Sequence, residues 1–474
     1  MIDEYEQHDF ATGSRFRAQF LSPLLSFDLH KLTDAFIGDG WGISRCLFLS
    51  VLFTGLLSVL WLQIPNLPLF AFEWLLGTAP LWLPIVTLVI AWKVWIWYAR
   101  GVYLFERKAI LLEVKIPRDI TRSPRAMENA LSKLWVDSGE TTFFNTAWQG
   151  HVRPYFSFEI ASFGGDIHFY VWTWSGWRAA VESALYGYYP ELEIVEVEDY
   201  ASKFKYDAEK HECFATDWRY EPRNDAYPIK TYVDFELDKD PKEEYRVDPI
   251  AQVLERLSNL RPDEQGWLQI IITQSKDKRR KKGGLWWETE SRYEGLVKEE
   301  VEKIRRDTAP LHIDDRSAPD AWKTYARVPL YRATESVKTI ERNMGKHIFN
   351  VGVRGVYICD PAKFSAGGYT GVRWIWRPFG NVQYLNQLRP RRWSNPFDYP
   401  WQDWGDIRWT LMLRRFFDAY RRRSYFYSPW IIPHNMMSTE VIATLWHPPS
   451  ASATAPGLQR IPAKKAEPPP NLPK

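Results

Sequence analysis

The chain has 474 residues, of which 61 are Lys or Arg and 58 are Asp or Glu, so its formal net charge is only +3. Such a balance excludes a strong overall attraction to nucleic acid. The content of 16% aromatic residues, including 25 Trp, excludes a disordered chain. Three widely separated cysteines, Cys46, Cys213 and Cys359, exclude a disulfide scaffold and are typical of a reducing compartment.

Two apolar runs lie near the amino terminus. Cys46–Ile64 contains no charged residue, and Pro80–Tyr98 contains only Lys93. As helices, both are long enough to cross a hydrocarbon core of about 30 Å. The sequence therefore predicts a transmembrane helical hairpin over residues 45–99. A buried helical hairpin in a soluble core is the alternative.

The charges that flank these runs predict the orientation in the membrane. Arg45 precedes the first run and Arg100 and Arg107 follow the second, whereas the linker between the runs has no Lys or Arg. By the positive-inside rule, both ends of the hairpin face the cytoplasm. We therefore expect a multi-pass protein of the cell inner membrane, with residues 1–44 as a cytoplasmic segment and both termini and most of the chain in the cytoplasm.

Residues 100–204 are predicted to form a first α+β domain. Two strands are separated by the turn signal Ser162-Phe163-Gly164-Gly165, and Ser123-Pro124 marks a helix start. The six predicted elements are strand Ala109–Ile116, a helix from Pro124, strands Tyr155–Ala161 and Asp166–Thr173, helix Gly176–Tyr188 and strand Leu192–Val197. This β-α-β-β-α-β order is typical of a ferredoxin-like domain with an antiparallel sheet.

Residues 205–360 are predicted to form a second, less regular copy of this α+β domain. The predicted elements are strand Lys230–Leu237, a helix from Pro249, strand Trp267–Thr273, helix Thr334–Met344 and strand Phe349–Cys359. A charged helical insertion, residues 275–329, separates the second strand from the rest. The fold predicted for the chain is therefore α+β, with tandem ferredoxin-like domains after the membrane hairpin.

The last part of the chain divides into two segments. Residues 361–448 are aromatic and basic, with a predicted helix at Arg408–Arg423 and a short helix capped by Ser438. Residues 449–474 are Pro-rich and predict a linker or docking tail. The candidate docking residues are Lys464, Lys465, Pro468, Pro469 and Pro470.

The sequence contains no arrangement of residues that predicts catalysis. A phosphate-binding P-loop, GxxxxGK[ST], is missing, since the pair Gly345-Lys346 is followed by His347. His211 and Cys213 lack the second pair of ligands that a zinc site needs, and His168 on a predicted strand reads as structural. We expect no catalytic residue, no metal site, no cofactor and no enzyme activity.

Two basic clusters are candidates for contact with nucleic acid or anionic lipid, with a solvated surface as the alternative. They comprise Lys278, Arg279, Arg280, Lys281 and Lys282 in the insertion, and Arg421, Arg422 and Arg423 near the end of the basic helix. Tyr420, Tyr425 and Tyr427 flank the second cluster, which would combine stacking with neutralisation of phosphate.

Several segments resemble a known family. Residues 158–200, which end in RAAVESALYGYYPELEIVEVEDY, resemble the amino-terminal region of membrane-anchored proteins related to type IV secretion coupling ATPases. Residues 437–450 (MSTEVIATLWHPPS) and 455–473 (APGLQRIPAKKAEPPPNLP) are similar to the segment that joins that region to the ATPase core. The resemblance runs from about Ala109 to the end of the chain, which carries no ATPase motif.

The resemblance implies a membrane-anchored accessory protein, or scaffold, of a type IV secretion-like or conjugation system. Its expected partners are the membrane, a separately encoded P-loop coupling ATPase, that ATPase's cargo, and a second copy of the chain. The alternative function is a membrane-tethered nucleic-acid-binding module that acts without an ATPase.

Overall fold

A computed structural model describes residues 51–59, 67–118, 120, 122–238, 248–281, 288–308, 311–313, 323–325, 331–391, 403–427, 429–451, 453 and 455–462. These residues form a long apolar helix and a mixed α+β body built on one large antiparallel sheet. The predicted α+β class is therefore confirmed.

Helix α1 (Leu67–Glu106) has 40 residues and includes Pro80 and Pro84. Its segment Phe72–Glu106 is long and apolar enough to cross a membrane, with a mean hydropathy of 1.8 in its most apolar window, and no part of that window is buried. Apolar side chains such as Leu81, Ile85 and Leu88 are between 64% and 75% exposed. A helix that is apolar all round and whose most apolar window is exposed is not the core helix of this body.

The predicted multi-pass arrangement conflicts with this result, because α1 is the single candidate span among the described residues. Of the first predicted run, Cys46–Ile64, the structure describes only residues 51–59, which are helical with exposed side chains. The rest of that run lies outside the described residues, as does segment 1–44. The second predicted run, Pro80–Tyr98, lies entirely within α1.

The described residues of the body form one nine-stranded sheet and two small two-stranded sheets. The strands are β1 (Ala109–Lys115), β2 (Tyr155–Phe163), β3 (Asp166–Trp174), β4 (Glu193–Val197), β5 (Glu212–Glu221), β6 (Gln265–Gln274), β7 (Lys278–Arg280), β8 (Thr289–Ser291), β9 (Leu311–Ile313), β10 (Lys323–Tyr325), β11 (Ile348–Cys359), β12 (Gln387–Pro390) and β13 (Asn435–Ser438). Strands β7 and β8 pair with each other, as do β9 and β10.

The order of the large sheet is β12-β5-β11-β6-β2-β3-β1-β4, with β13 paired to β11. The order is symmetric about the β6–β2 pair, so that β4-β1-β3-β2 on one side matches β12-β5-β11-β6 on the other. Nine residue pairs, from Tyr155↔Thr273 to Phe163↔Gln265, join the halves. The predicted segments 100–204 and 205–360 therefore share one continuous sheet, to which 361–448 adds β12 and β13.

The body helices are α2 (Pro124–Lys133), α3 (Phe143–Ala147), α4 (Arg178–Tyr186), α5 (Tyr200–Lys203), α6 (Pro249–Ser258), α7 (Arg292–Thr308), α8 (Tyr331–Met344), α9 (Ala366–Arg373), α10 (Ile407–Arg421) and α11 (Thr439–Leu445). Helices α2, α4, α6, α9 and α11 contribute to one core cluster on one face of the sheet. Helix α10 covers the other face through residues such as Leu413 and Phe416.

The second half differs from its prediction in two places. Lys230–Leu237 is not a strand but a series of turns, and β5 (Glu212–Glu221) takes the place of its first strand. Thr231 and Asp234 are responsible, because Asp234 Oδ2 accepts hydrogen bonds from the backbone N–H (2.9 Å) and Oγ1 (3.1 Å) of Thr231. The second difference lies at the end of this half. Helix α8 and strand β11 agree with the predicted helix Thr334–Met344 and strand Phe349–Cys359, but α9 and β12, beyond residue 360, complete the strand order.

Helix α1 joins the body through an aromatic contact and a close backbone approach. Trp95 Nε1 donates to the carbonyl oxygen of Ala147 (2.9 Å), and Trp92 stacks on Phe143 with ring centroids 5.8 Å apart. Gly150 has φ +64°, and a Cβ at this position would lie 2.2 Å from the Ala99 carbonyl oxygen. The position therefore requires glycine for both its conformation and its contact with α1.

We expect Gly150→Ala to loosen the junction of α1 with the body. A non-glycine residue in the left-handed region costs about 1–3 kcal/mol, and here the added Cβ also collides with the α1 backbone. The measurement is the melting temperature of the detergent-solubilised chain, followed by near-ultraviolet circular dichroism. Gly176→Ala is the matched control, since a Cβ there would meet no atom within 4 Å. Equal melting temperatures for the two variants would contradict this view of the junction.

Candidate functional site: an arginine cavity beside the apolar helix

The carboxyl end of α10 turns the chain back toward the sheet. Ser424 N–H donates to the Ala419 carbonyl (3.0 Å) and Arg423 N–H donates to the Tyr420 carbonyl (3.1 Å), which is the Schellman pattern of helix termination. Arg423 has φ +51° at the position that glycine usually occupies. This left-handed turn directs the Arg423 side chain into the core, where it is 0% exposed.

Glu159 of β2 is the partner of Arg423. The Nε and Nη2 of Arg423 donate to the two carboxylate oxygens of Glu159 at 3.0 and 3.1 Å, and Nη2 also donates to Asp199 at 2.9 Å. Glu159 accepts further hydrogen bonds from Tyr200 (2.6 Å), Ser157 (2.7 Å) and Gln269 (2.7 Å). Both members of the ion pair are 0% exposed.

Glu159 and Arg423 each shift the pKa of the other. Burial opposes the charge on Glu159, but Arg423 and the hydrogen bonds of Tyr200 and Ser157 outweigh it and lower the pKa of Glu159 below its ordinary value. Burial likewise opposes the charge on Arg423, yet Glu159 and Asp199 raise its pKa well above the ordinary value. The pair is therefore fully ionised near neutral pH.

A second buried guanidinium, that of Arg354 in β11, binds backbone carbonyls at the carboxyl end of α10. It donates to the carbonyls of Ala419 (2.8 Å) and Ser424 (3.0 Å) and, through Nε, to Gln269 Oε1 (2.5 Å). Burial lowers the pKa of Arg354 to about 10. A cation at this place complements the partial negative charge of a helix carboxyl end.

The residues of this network lie in one row across the sheet. The register sets Glu159 opposite both Tyr170 and Gln269, and Gln269 opposite Arg354, which in turn is opposite Asp217. Directly opposed residues share a face of the sheet. The seam between the two halves is thus polar on the α10 face, at its centre.

We expect Glu159→Gln to destabilise the chain by about 3–5 kcal/mol, because it leaves the buried charge of Arg423 without its bidentate partner. Urea unfolding of the detergent-solubilised chain at pH 7 measures the loss. The pKa of Glu159 is lower in the folded chain than its ordinary value of 4.5. Its stabilising contribution is therefore complete above about pH 4.5 and declines as the pH falls through the folded value.

The difference between wild type and Glu159→Gln should accordingly be constant from pH 6 to 8 and narrow in acid. The matched control is Glu198→Gln, since Glu198 is 80% exposed and pairs with exposed Lys203; this variant should unfold with the wild type. A Glu159→Gln variant as stable as the control at pH 7 would refute the role of the ion pair.

Beside the buried pair lies a cavity of about 450 Å³ between α1 and the body. Its walls combine aromatic rings with four arginines and one carboxylate, namely Trp97, Gly101, Leu104, Phe105, Arg107, Ala109, Tyr155, Trp172, Trp174, Asp199, Arg421, Arg422, Arg423, Ser424, Tyr425, Phe426, Tyr427 and Pro429. All three arginines of the predicted 421–423 cluster thus line one cavity, together with the carboxyl-terminal end of the candidate span.

Arg421 and Arg422 differ from Arg423 in their exposure. Their side chains are 42% and 55% exposed, and both donate to Asp418 Oδ1, at 3.3 and 2.8 Å. Burial opposes the charge of Asp418, but the hydrogen bonds of Arg422 and Trp430 outweigh it and lower the pKa of this carboxyl. One aspartate thus serves two guanidiniums, each with five N–H donors.

The other predicted basic cluster lies on the β7–β8 hairpin and is not part of the cavity. Arg279 pairs with Glu290 (3.0 Å) and Glu299 (3.1 Å), and Lys281 pairs with Glu288 (3.7 Å). Lys278 and Arg280 are exposed at the ends of the same strand. Lys282 lies outside the described residues, as do the candidate docking residues Lys464, Lys465, Pro468, Pro469 and Pro470.

The histidine motifs have structural partners. His168 Nδ1 lies 2.6 Å from Glu113 Oε1, and this hydrogen bond is the main cause of a lowered pKa at Glu113. His211 bonds to the backbone of Asp207. In the described ranges, no group of three His, Cys, Asp or Glu residues is placed to hold a metal ion.

Sequence reasoning missed Glu159 and Arg354. A signal was present, because each is the charged residue of an otherwise apolar alternating run, FSFEIASF for Glu159 and FNVGVRGVYIC for Arg354. A charge at such an inward position predicts a buried partner. Which partner it finds depends on the carboxyl end of α10, which lies at least 65 residues farther along the chain.

Comparison with known proteins gives no match: neither a protein-family model, nor a curated protein, nor a solved structure is similar to this chain.

Proposed function

We propose that the chain is a non-enzymatic, membrane-anchored scaffold whose α+β body lies at the cytoplasmic face of the cell inner membrane. The observation that carries the proposal is α1, an apolar helix with none of its most apolar window buried. Burying such side chains in lipid is favourable by about 25 cal/mol per Å² of apolar surface. Trp92, Trp95, Trp97 and Tyr98 near its carboxyl end suit the membrane interface.

The sheet supports the role of a scaffold. The strand order within each half, β4-β1-β3-β2 and β12-β5-β11-β6, is the one that a β-α-β-β-α-β unit gives, and it supports the tandem ferredoxin-like interpretation. The buried charges Glu159, Arg423 and Arg354 are engaged with one another and with the backbone. They serve to hold the body together.

The partner in this proposal is a P-loop ATPase of a type IV secretion or conjugation-like system. Its support is the resemblance of residues 158–200 to the anchored region of coupling ATPases, and of residues 437–450 and 455–473 to the segment that joins that region to the ATPase core. In this reading the body organises the separately encoded ATPase or its cargo, and the Pro-rich tail docks on the motor.

We expect Leu88 to lie in the hydrocarbon core. Leu88→Cys, in a Cys46→Ser background, is labelled with an environment-sensitive fluorophore and reconstituted in phosphatidylcholine vesicles; Cys213 and Cys359 are buried. Emission should be quenched by lipids that carry a deep nitroxide and protected from aqueous iodide. Leu411→Cys, at a residue 46% exposed on α10, is the matched control and should show the reverse. Iodide quenching of both labels would disprove the membrane span.

Affinity purification of the full chain in mild detergent tests whether a P-loop ATPase is its partner. An ATPase activity should copurify with the wild type and be lost with Lys464→Glu/Lys465→Glu, because the reversed charges disrupt tail docking. Lys203→Glu/Lys210→Glu, at two lysines 65% and 75% exposed on the body, is the matched control and should retain it. Bound nucleic acid without any ATPase would favour the tethered nucleic-acid-binding module instead.

A further inference from the structure

We infer that the cavity between α1 and the body binds the headgroup of an anionic phospholipid from the cytoplasmic leaflet. The inference rests on the proposed membrane anchoring and adds a ligand class to the cavity described above. The observation behind the inference is that Arg421 and Arg422 lie in the same cavity as the carboxyl-terminal end of the candidate span.

The cavity lies at the level where lipid headgroups would be. Trp97, Gly101, Leu104 and Phe105, on the last turns of α1, form one of its walls. Phe105 is 90% exposed and Trp97 is 57% exposed, so the apolar surface continues from the span to the mouth of the cavity. A lipid beside α1 therefore reaches the cavity without leaving the membrane.

The shape of the α1 wall leaves room for a ligand. Gly101 faces the cavity, and a Cβ at this position would meet no atom within 4 Å. The volume of about 450 Å³ lies within the usual range of ligand pockets.

The charge of the cavity suits a phosphodiester anion. Arg421, Arg422 and Arg423 contact three carboxylates, Asp418, Glu159 and Asp199. The fourth arginine of the cavity, Arg107, donates to the Tyr103 hydroxyl and so leaves one positive charge in excess. Asp418 occupies one N–H of Arg421 and one of Arg422. In the described part of the chain, the other donors of these two side chains have no protein acceptor, and a guanidinium fork matches the geometry of phosphate oxygens.

A lipid fits this cavity better than a single-stranded nucleic acid does. Recognition of unpaired bases needs exposed aromatic rings on which to stack, and the exposed rings of the cavity, Trp97 and Phe105, belong to the proposed span. Tyr420 and Tyr425 are only 1% exposed, and Tyr427 is 6% exposed. Arg423 is already paired with Glu159 and Asp199. The predicted combination of stacking and phosphate contact around residues 420–427 is therefore not available on the surface.

The test compares spin-labelled phosphatidylglycerol with spin-labelled phosphatidylcholine in vesicles that contain the full chain. Electron paramagnetic resonance separates motionally restricted lipid at the protein surface from free lipid. We expect a preference of about fivefold for phosphatidylglycerol, since each cation near an anionic lipid contributes about 1 kcal/mol. Arg421→Gln/Arg422→Gln should reduce this preference to near unity.

Two further variants separate the cavity from general surface charge. Arg305→Gln/Arg306→Gln removes two arginines that are 71% and 75% exposed on α7, and it should leave the preference unchanged. Gly101→Trp keeps every charge but fills the cavity, and it should abolish the preference. An unchanged preference in Gly101→Trp or in Arg421→Gln/Arg422→Gln would overturn the inference.

The outcomes also distinguish this inference from the proposed function. If motionally restricted lipid is seen but shows no preference for phosphatidylglycerol, the inference alone is overturned. If no restricted lipid of either kind is seen, the proposed membrane span is contradicted as well. Displacement of phosphatidylglycerol by inorganic phosphate, beyond the effect of sodium chloride at equal ionic strength, would identify a site for a free anion instead. Binding of a single-stranded oligonucleotide that depends on Arg421 and Arg422, without lipid preference, would also overturn it.

Discussion

The ion pair between Glu159 and Arg423 lies at the centre of the structure. It joins β2, at the seam of the sheet, to the turn that ends α10, and Tyr200 and Gln269 complete its hydrogen bonds. Two charges removed from water are tolerated only when each lone pair and each N–H finds a partner. The positions of α10, α5 and the seam are therefore coupled, since moving any one of them leaves a buried charge uncompensated.

This constraint extends to the apolar helix α1. The turn at Arg423 holds the two preceding arginines at the rim of the cavity and brings Tyr427 toward Arg153, with which it shares a hydrogen bond of 3.1 Å. Arg153 in turn pairs with Glu140, and Glu140 with Arg100 of α1. A continuous chain of polar contacts thus connects the core to the apolar helix, which supports a fixed geometry between α1 and the body.

This arrangement requires a strained backbone conformation at one position, Arg423. Arg423 occupies a left-handed conformation that glycine adopts more easily. A glycine there would relieve the strain but leave Glu159 buried without its cation, at a greater cost. The arginine is therefore favoured over the residue that the backbone alone would prefer.

By itself, the sequence determined the local elements. Periodic apolar residues predicted the helix after Ser123-Pro124, and alternation predicted β2, β3 and β11 to within two residues, because these patterns report which face each element buries. The apolar run Pro80–Tyr98 likewise predicted the helix now seen within α1. Alternation failed at Lys230–Leu237, where Asp234 bonds to the backbone of Thr231 and a turn wins over a strand.

Only the tertiary structure decided how these elements combine. The pairing of β2 with β6 merged two predicted domains into one sheet, since strand edges carry backbone donors and acceptors that any register-compatible partner can satisfy. Three consecutive arginines looked equivalent in the sequence. The left-handed turn at Arg423 sends the third into the core and leaves the other two at the surface, because the buried carboxylate that it meets comes from a strand more than 260 residues earlier in the chain.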